Sequence, residues 1–324
     1  MPPTKFKLIT TREHLKRPVH EVLADWLTTA LRRPVSKAKA RKLVIAGAVH
    51  ANGRRVTLAT PSFSAGVSID ASVDIAKLFG DSTSRDKPFE LTPDRILFED
   101  ADLIFVDKPP GLPAHQTLDE TRDSLFAAVR RFLKKRDRID NPYLGVHQRL
   151  DRDTSGVVLF TKSKRVNAAI ARSFSDHATV KVYQAITVAG SDLQPEWTIK
   201  NELGKVSSSS KKSMYGSVRS GGQFAETAVR ILARYPLGLW IEAIPKTGRT
   251  HQIRVHLAEY GLPIIGDDLY SSPEKWRELA RLEPRLMLHA TRLVVPHPVT
   301  ARKLSVQSPL PPDFERCRHF AEKG

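Results

Sequence analysis

Apolar residues near the start of the chain recur every three or four positions, which is typical of a helix that packs on one face. These residues are Val22, Leu23, Trp26, Leu27 and Leu31. A second helix is predicted over residues 37–46, because Ser36 can cap its start and Gly47 can end it. An Asn-Gly pair at 52–53, between two strand-like segments, predicts a β-hairpin. Residues 19–76 are therefore expected to form a small α/β unit.

The hydrophobic pattern changes after this unit. Residues 77–92 lack periodicity and are predicted to be a linker. Over 93–316, short apolar runs alternate with segments of helical spacing, which indicates a second, larger domain. Strands are predicted at 96–98, 103–106, 157–160, 180–188 and 239–244, and helices around 125–133 and 166–174. Residues 201–222 are rich in Ser, Gly and Lys and are expected to form an exposed loop, and the polar tail 308–324 is expected to be loosely held.

The charge balance points to a class of partner. The chain of 324 residues has 52 Lys and Arg against 35 Asp and Glu, a net charge of +17. Such a surplus favours a polyanion, most often nucleic acid, with an acidic membrane surface as the alternative. The second predicted helix and the hairpin carry six cations, Lys37, Lys39, Arg41, Lys42, Arg54 and Arg55. This clustering favours RNA binding over a basic helix that is merely solvated.

Composition excludes several classes of protein. With 40% hydrophobic and 27% charged residues, the chain has a globular composition, which excludes disorder along its whole length. Its one cysteine, Cys317, can form neither an internal disulfide nor a cysteine-based zinc site. The first residues lack the apolar run of a secretory signal, and no stretch is apolar enough for a transmembrane helix. We therefore expect a cytoplasmic protein with no membrane partner.

The densest polar cluster spans residues 147–156, directly before a predicted strand. It contains two carboxylates, Asp151 and Asp153, between and beside two arginines. For Asp153 a turn-forming role is favoured, because Asp, Thr and Ser side chains commonly make hydrogen bonds in turns. Asp151 can be a carboxylate that an arginine holds ionised for use as a nucleophile or base, with a charged loop as the alternative. Tyr183, on another predicted strand, matters only if it faces the same cleft as Asp151.

A second polar cluster follows the strand predicted at 239–244. Gly248 allows a close turn there, and Thr250 can cap a helix. Arg249 and Arg254 then become partners for phosphate or carboxylate groups. The segment has neither the glycine-lysine pattern of a phosphate-binding loop nor the H-E-x-x-H pattern of a zinc protease, so neither kind of site is expected.

The order of these segments resembles the RluA family of RNA pseudouridine synthases. Residues 147–156 resemble the family's H-R-L-D-x-x-T-S-G motif, except that Gln148 separates His147 from Arg149, which leaves the role of His147 open. Further segments resemble, in the expected order, the family's N-K-P-x-G-x-x-x-H, K-x-Y-x-A, G-R-T-H-Q-I-R-V-H-L, G-x-P-I-x-G-D, L-H-A and H-P motifs. They are residues 107–115, 181–185, 248–257, 261–267, 288–290 and 297–298, with Asp107 in place of the usual Asn. The helix, basic helix, glycine and hairpin of residues 19–76 resemble an S-four type RNA-binding module.

The resemblance implies an activity and a fold. Members of the family isomerise uridine to pseudouridine in RNA, by base flipping and a rearrangement of the glycosidic bond that depends on one aspartate. The implied fold is an α+β catalytic domain with a mostly antiparallel mixed sheet and a central cleft, which follows a small N-terminal α/β RNA-binding domain. Because isomerisation conserves atoms, no cofactor and no metal are expected.

The resemblance also assigns roles to particular residues. Asp151 resembles the catalytic aspartate, acting either as a nucleophile at the anomeric carbon or as a base on the neighbouring ribose proton. Arg254 resembles the arginine that pairs with it, and Tyr183 resembles the tyrosine that stacks on the base. Arg149 resembles the arginine that fills the gap left by the flipped nucleotide, and Arg249 is expected to bind RNA.

Large-subunit ribosomal RNA is the expected substrate, with tRNA as the second choice, and we expect a monomer. One rival function is a non-catalytic RNA-binding or ribosome-assembly factor, against which the presence of Asp151, Tyr183 and Arg254 argues. Another is a DNA-binding regulator, but no segment resembles a recognition-helix motif.

Overall fold

Chain contacts divide the protein, seen here in a computed structural model, into two units, Met1–Lys87 and Pro88–Gly324. The division falls within the segment that the sequence predicts to be a linker. The structure describes residues 4–56, 62–75, 78, 88–115, 123–190, 193–208, 213–282 and 284–323, without the side chains of residues 38, 42 and 208. Part of the predicted hairpin, most of the predicted linker and the Lys42 side chain lie outside the described residues.

The N-terminal unit packs helices against a small antiparallel sheet. Its elements are β1 (Thr4–Ile9), a 3₁₀ turn (Arg12–His14), α1 (Val19–Leu31), α2 (Lys37–Ile45), β2 (Val49–Ala51), β3 (Arg54–Arg55) and β4 (Ser68–Val73). Within the described residues the strand order is β1-β4-β2-β3. The core consists of the apolar face of α1, with Val19, Leu23 and Leu27 fully buried, and of strand residues such as Ile69.

The local sequence signals that predicted the ends of α2 and the turn of the hairpin are confirmed. The Ser36 hydroxyl accepts a hydrogen bond from the Lys39 amide (3.2 Å), which caps α2, and Gly47 ends it with a φ of +76°. Asn52 and Gly53 both have positive φ, as the tight hairpin turn between β2 and β3 requires. Strand β1 lies before the predicted start of the unit and was not expected, because its apolar residues are only half-buried and its alternation is short.

The second unit is built on one large mixed sheet. Its strands are β5 (Ile96–Glu99), β6 (Leu103–Lys108), β7 (Gly145–Val146), β8 (Ser155–Thr161), β9 (Val180–Thr187), β10 (Glu196–Ser208), β11 (Ser213–Ser217), β12 (Gln223–Tyr235), β13 (Gly238–Pro245), β14 (Leu288–Pro296) and β15 (Lys303–Gln307). Its α-helices are α3 (Leu125–Asp137), α4 (Asn167–Ser175), α5 (Gln252–Glu259) and α6 (Pro312–Lys323). Shorter 3₁₀ helices span Pro93–Arg95, Lys164–Val166, Pro273–Trp276 and Leu279–Leu282.

Strand β9 lies in the middle of this sheet. Among the described residues the order is β11-β10-β12-β13-β9-β14-β8-β6-β5, with β7 on β8 and β15 on β14. Within the part of this unit that the structure describes, all pairings are antiparallel except that of β14 with β8, so the predicted mostly antiparallel mixed sheet is confirmed. One hydrophobic core lies around β6, β8 and α3, another around β13, α5 and α6, and Tyr183 of β9 packs against both. The junction between the two cores therefore positions Tyr183.

The prediction of an exposed loop over 201–222 is wrong. Strand β10 continues to Ser208 and pairs with β11 and β12, although residues 209–212 lie outside the described part. Leu203 and Ala225 are buried against Val255 of α5. The polar composition was misleading because backbone pairing and these few buried side chains are enough to hold strands whose other side chains are polar.

The prediction of a loosely held tail over 308–324 is also wrong. Helix α6 buries Phe314, Cys317 and Ala321, which recur at a spacing of three and four residues. Pro312 does not interrupt the helix because it is its first residue, where the missing N–H has no intrahelical partner to lose. The second unit therefore extends beyond the predicted boundary at residue 316.

The Cys317→Ser protein is expected to lose about 1–3 kcal/mol of unfolding free energy, because a hydroxyl without a partner would replace a buried thiol. Burial raises the pKa of Cys317 to about 12, so the thiol stays protonated and acts as a small apolar group. The matched control is His319→Ser on the exposed side of the same helix, with an expected change within about 0.5 kcal/mol. Denaturant titration of both variants measures the difference, and equal stabilities would contradict the packing described for α6.

No α-helix within the described ranges has the length and apolar character needed to cross a bilayer.

Candidate active site

A cavity of about 910 Å³ opens in the second unit at the middle of its sheet. Its walls come from the segment before β8, from β9, from the segment between β13 and α5, and from the start of α5. All five site residues that the sequence predicts in this unit line it, namely Arg149, Asp151, Tyr183, Arg249 and Arg254. The volume is in the range of pockets that enclose a small organic ligand, so one nucleotide fits.

The backbone around Asp151 is held from several sides. Leu150 is buried directly before it, and the Thr154 amide donates to the Asp151 carbonyl (3.2 Å) in the turn that follows. The buried ammonium of Lys108 donates to the Arg152 carbonyl (2.8 Å). Gly156, the second residue of β8, has a φ of +119° and lies where a Cβ would be 2.2 Å from the Ala290 carbonyl oxygen. The carboxyl group of Asp151 is thus presented to the cavity from a fixed turn, with its side chain 30% exposed.

Arg254 reaches Asp151 from the buried helix α5. Its Nη1 donates to Oδ2 of Asp151 (3.1 Å), while Nε and Nη2 donate to the two carboxylate oxygens of Asp267 (2.7 and 2.8 Å). Burial disfavours the charge, but hydrogen bonds and attraction from Asp267 and Asp151 raise the pKa of Arg254 above its ordinary value. The Asp267 side chain is fully buried and also accepts from the amides of Leu269 and Tyr270. Asp267 therefore fixes the guanidinium that faces Asp151.

Tyr183 lies on β9 between β13 and β14, half-buried at the cavity. Burial, and secondarily the carboxylate of Asp151, raises the pKa of Tyr183. The phenol therefore keeps its proton at neutral pH. Tyr183 shares this cavity with Asp151, which the sequence alone left open.

An aromatic cluster beside Asp151 was missed by the sequence analysis. His251 Nε2 lies 3.9 Å from Asp151 Oδ2, and its Nδ1 is 2.9 Å from the Tyr270 hydroxyl. The Tyr215 amide donates to the same hydroxyl (3.0 Å), and the Tyr270 ring lies 5.2 Å from the Arg254 guanidinium carbon. Burial lowers the pKa of His251, an effect that Asp151 opposes only in part, so the ring is neutral at pH 7.

The predicted cap of α5 is wrong by one residue. His251, not Thr250, precedes the helix, and it has a φ of +55°, which is uncommon for a residue other than glycine. Gln252 holds this turn, since its side-chain oxygen accepts from the Arg249 amide (3.0 Å) and from the Thr247 hydroxyl (2.7 Å). The turn directs the His251 ring toward Asp151.

The two arginines expected to bind RNA in this unit differ in how they are held. Arg149 is exposed at the cavity. Arg249 is half-buried, and its Nε donates to the Phe224 carbonyl (2.9 Å). Asp153 pairs with the neighbouring Arg152 (3.0 Å).

His147 also lines the cavity. Its Nε2 lies 3.2 Å from the Thr161 hydroxyl, and burial lowers its pKa. The neighbouring Gln148 donates to the Val157 carbonyl (3.2 Å). The inserted glutamine therefore packs against β8, and the histidine remains at the cavity wall.

The six predicted RNA-binding cations of the N-terminal unit belong to α2 and the hairpin. Lys37 pairs with Glu21 (2.8 Å), and Arg55 reaches the carbonyl of Ile45 at the end of α2 (3.5 Å). Arg41 and Arg54 are exposed. The hairpin and α2 thus form one basic surface, defined by Lys37, Lys39, Arg41, Arg54 and Arg55, with Lys42 on the same helix.

Across the described ranges, no three His, Cys, Asp or Glu side chains are grouped so that they could hold a metal ion. Asp151 and Arg254 of the cavity wall instead form a chain of ion pairs with the buried Asp267.

Comparison with known proteins gives consistent matches. The family described as RNA pseudouridylate synthase matches residues 102–259. Ribosomal large subunit pseudouridine synthase D of Neisseria meningitidis serogroup A is 31% identical over 225 residues, which cover 68% of this chain but only 59% of that protein. An RNA pseudouridine synthase of Chlorobaculum parvum is 34% identical over 239 residues, covering 69% of this chain and 72% of that one. The solved structure of human RNA pseudouridylate synthase domain containing 4 has a TM-score of 0.58 at 25% identity, covering 70% of this chain and 92% of the human one.

Proposed function

The chain belongs to the family of RNA pseudouridylate synthases and has their mixed-sheet α+β fold, and from this premise we propose that it converts uridines of large-subunit ribosomal RNA to pseudouridine. The name of the Neisseria relative supports this choice of substrate, with tRNA as the alternative. The observation that carries the proposal is the Asp151–Arg254 ion pair beside Tyr183, in a cavity that accommodates one nucleotide.

The reaction asks little of the protein beyond a placed carboxylate and a binding cavity. The bond between uracil nitrogen 1 and the anomeric carbon breaks, the base turns, and carbon 5 bonds to the same sugar carbon. Carbon 5 then loses its hydrogen as a proton, and nitrogen 1 carries a proton in the product, so the product is an isomer of the substrate. Carboxylates are suited to chemistry at an anomeric carbon. We assign this step to Asp151, acting as a nucleophile or as a base on the ribose, with Arg254 as its fixed cationic partner.

A stacked uridine hides its glycosidic bond, so the nucleotide must flip out of the RNA to enter the cavity. Unstacking costs a few kcal/mol. Arg149 is exposed at the cavity and is our candidate for the side chain that occupies the vacated position. Tyr183 is our candidate for stacking on the flipped base.

The loss of the hydrogen at carbon 5 provides a direct assay. Large-subunit ribosomal RNA and tRNA, each labelled with tritium at carbon 5 of uridine, are incubated with the protein, and tritium released into water is counted. We expect release from the ribosomal RNA and little from tRNA. Release from tRNA alone would contradict the substrate, and no release from either RNA would contradict the activity.

The Tyr183→Phe protein is expected to keep its KM within a few-fold and to lose about 10²-fold in kcat. The ring can still stack on the base, but the phenolic hydroxyl, which we propose assists removal of the proton at carbon 5, is gone. The kinetics of tritium release separate the two constants. An unchanged kcat would limit Tyr183 to stacking.

We propose that the N-terminal unit binds RNA through the basic surface of α2 and the hairpin. Replacing Arg41, Arg54 and Arg55 together by alanine is expected to weaken RNA binding and to make the slope of log affinity against log salt less negative by up to about 3, since three phosphate contacts are lost. The control replaces three cations elsewhere in the unit, Lys5, Lys7 and Lys16. If both triple variants change the salt slope equally, the total positive charge of the unit, and not this particular surface, determines RNA binding.

A further inference from the structure

Lys181 is a second functional group on the strand that carries Tyr183. The two residues are two positions apart on β9, so their side chains project from the same face of the sheet, and both line the cavity. The Lys181 ammonium donates to the Thr247 carbonyl (2.9 Å). An ammonium has three donors, so this contact leaves Lys181 capacity for a further partner.

Lys181 and Arg249, which line this side of the cavity, form no ion pair among the described residues. Within the parts of the chain that the structure describes, no carboxylate lies within ion-pair distance of Lys181 or Arg249. Arg249 donates to two neutral oxygens, the Phe224 carbonyl (2.9 Å) and the Gln223 amide oxygen (3.4 Å). Burial and the nearby Arg249 both lower the pKa of Lys181. Two neighbouring cations without an anion create a local positive potential that an anionic ligand would relieve.

The space beside the Lys181 ammonium is open because Gly248 carries no side chain. A Cβ at Gly248 would lie 3.7 Å from Lys181 Nζ and would cover this side of the ammonium. The Thr247 carbonyl thus holds the Lys181 ammonium, and Gly248 leaves that ammonium unshielded.

We propose that Lys181 and Arg249 form a subsite for a backbone phosphate of the nucleotide that enters the cavity. This inference rests on the proposed function, because the ligand is an RNA phosphate next to the flipped uridine. A base that stacks on Tyr183 carries its own phosphodiester groups with it, and Lys181 lies two residues along the same strand. Both Lys and Arg bind phosphate oxygens, Lys as a point charge and Arg through its planar group.

The test compares Lys181→Met with Lys246→Met. Lys246 lies just before Thr247, is exposed, and is not among the residues that line the cavity, so it controls for the loss of one positive charge nearby. The kcat/KM of tritium release from carbon-5-labelled large-subunit ribosomal RNA is measured between about 50 and 200 mM salt. Lys181→Met is expected to lower kcat/KM about tenfold at the low-salt end and to make its log–log salt slope less negative by about 0.7. Lys246→Met is expected to change the slope by less than half as much.

Two further variants make the result decisive. Lys181→Arg is expected to keep the wild-type salt slope, because the charge remains. Arg249→Met, at a less enclosed position, is expected to flatten the slope as Lys181→Met does, so the subsite can be tested even if Lys181→Met fails to fold. The subsite is overturned if the wild-type protein is active but a folded Lys181→Met protein, or the Arg249→Met protein, keeps the wild-type salt slope of kcat/KM. Absence of tritium release from the wild-type protein would instead overturn the proposed function itself.

Discussion

The Asp151→Asn protein is expected to form no measurable pseudouridine while its affinity for large-subunit ribosomal RNA stays within a few-fold of wild type. An asparagine has the same shape and can still accept a hydrogen bond from Arg254, so the cavity should be preserved. Its neutral amide can neither attack the anomeric carbon nor take a ribose proton. Loss of the group that carries out the chemistry typically costs 10⁴-fold or more in kcat, so a loss of at least about 10⁴-fold is expected.

The chain offers a matched control two residues away. Asp153 lies in the same turn but pairs with Arg152 and does not line the cavity, so Asp153→Asn is expected to keep activity within a few-fold. Tritium release measures turnover for both variants, and RNA titration measures their affinity. Equal losses in the two variants would show that the turn, and not the Asp151 carboxylate, is what the reaction needs.

The Arg254→Ala protein is expected to lose both activity and stability. Without the guanidinium, Asp267 keeps two backbone donors but becomes a buried carboxylate without a cation. Removing one partner of a buried ion pair costs about 3–5 kcal/mol of unfolding free energy. In the protein that still folds, we expect kcat to fall on the order of 10³-fold, because Asp151 loses the fixed charge that orients it.

Two comparisons separate these effects. Arg254→Lys keeps a positive charge but cannot bond both Asp267 and Asp151 as a guanidinium does, so we expect most of the stability to return and little of the activity. Arg230→Ala removes a more exposed ion pair with Glu242 on β12 and β13 and is expected to cost no more than about 1 kcal/mol. Denaturant titration and kinetics are measured on all three proteins. An RNA-affinity loss equal to the activity loss in Arg254→Ala would make this residue a phosphate contact instead.

Helices, strands and turns formed where they were predicted when the sequence signals were strong and local. The Asn-Gly turn, the Ser36 cap and the buried run of β8 depend on residues next to each other in the chain. Strands β10 and β11 could not be predicted in this way, because their side chains are mostly polar. They are stabilised by backbone pairing of β10 with β11 and β12 and by contacts with the more distant helix α5. Helix α6 was missed because three buried residues among many charged ones give a weak apolar signal.

The candidate site was predictable only in part. The motif resemblance pointed to Asp151, Tyr183 and Arg254, which the fold brings to one cavity. Asp267 lay within a matched motif, but nothing in the sequence indicated that it would bond the same guanidinium as Asp151 does. The contact of Tyr270 with His251 joins segments on either side of α5, and such a contact exists only once the chain has folded.

We propose above all that Asp151 directs the isomerisation of particular uridines in ribosomal RNA. Carbodiimide mapping of pseudouridines tests it at single-nucleotide resolution, on large-subunit ribosomal RNA incubated with the wild-type or the Asp151→Asn protein. We expect new reverse-transcription stops at discrete uridines with the wild-type protein and none with the variant. The same stops with both proteins, or no new stops with the wild-type protein, would contradict it.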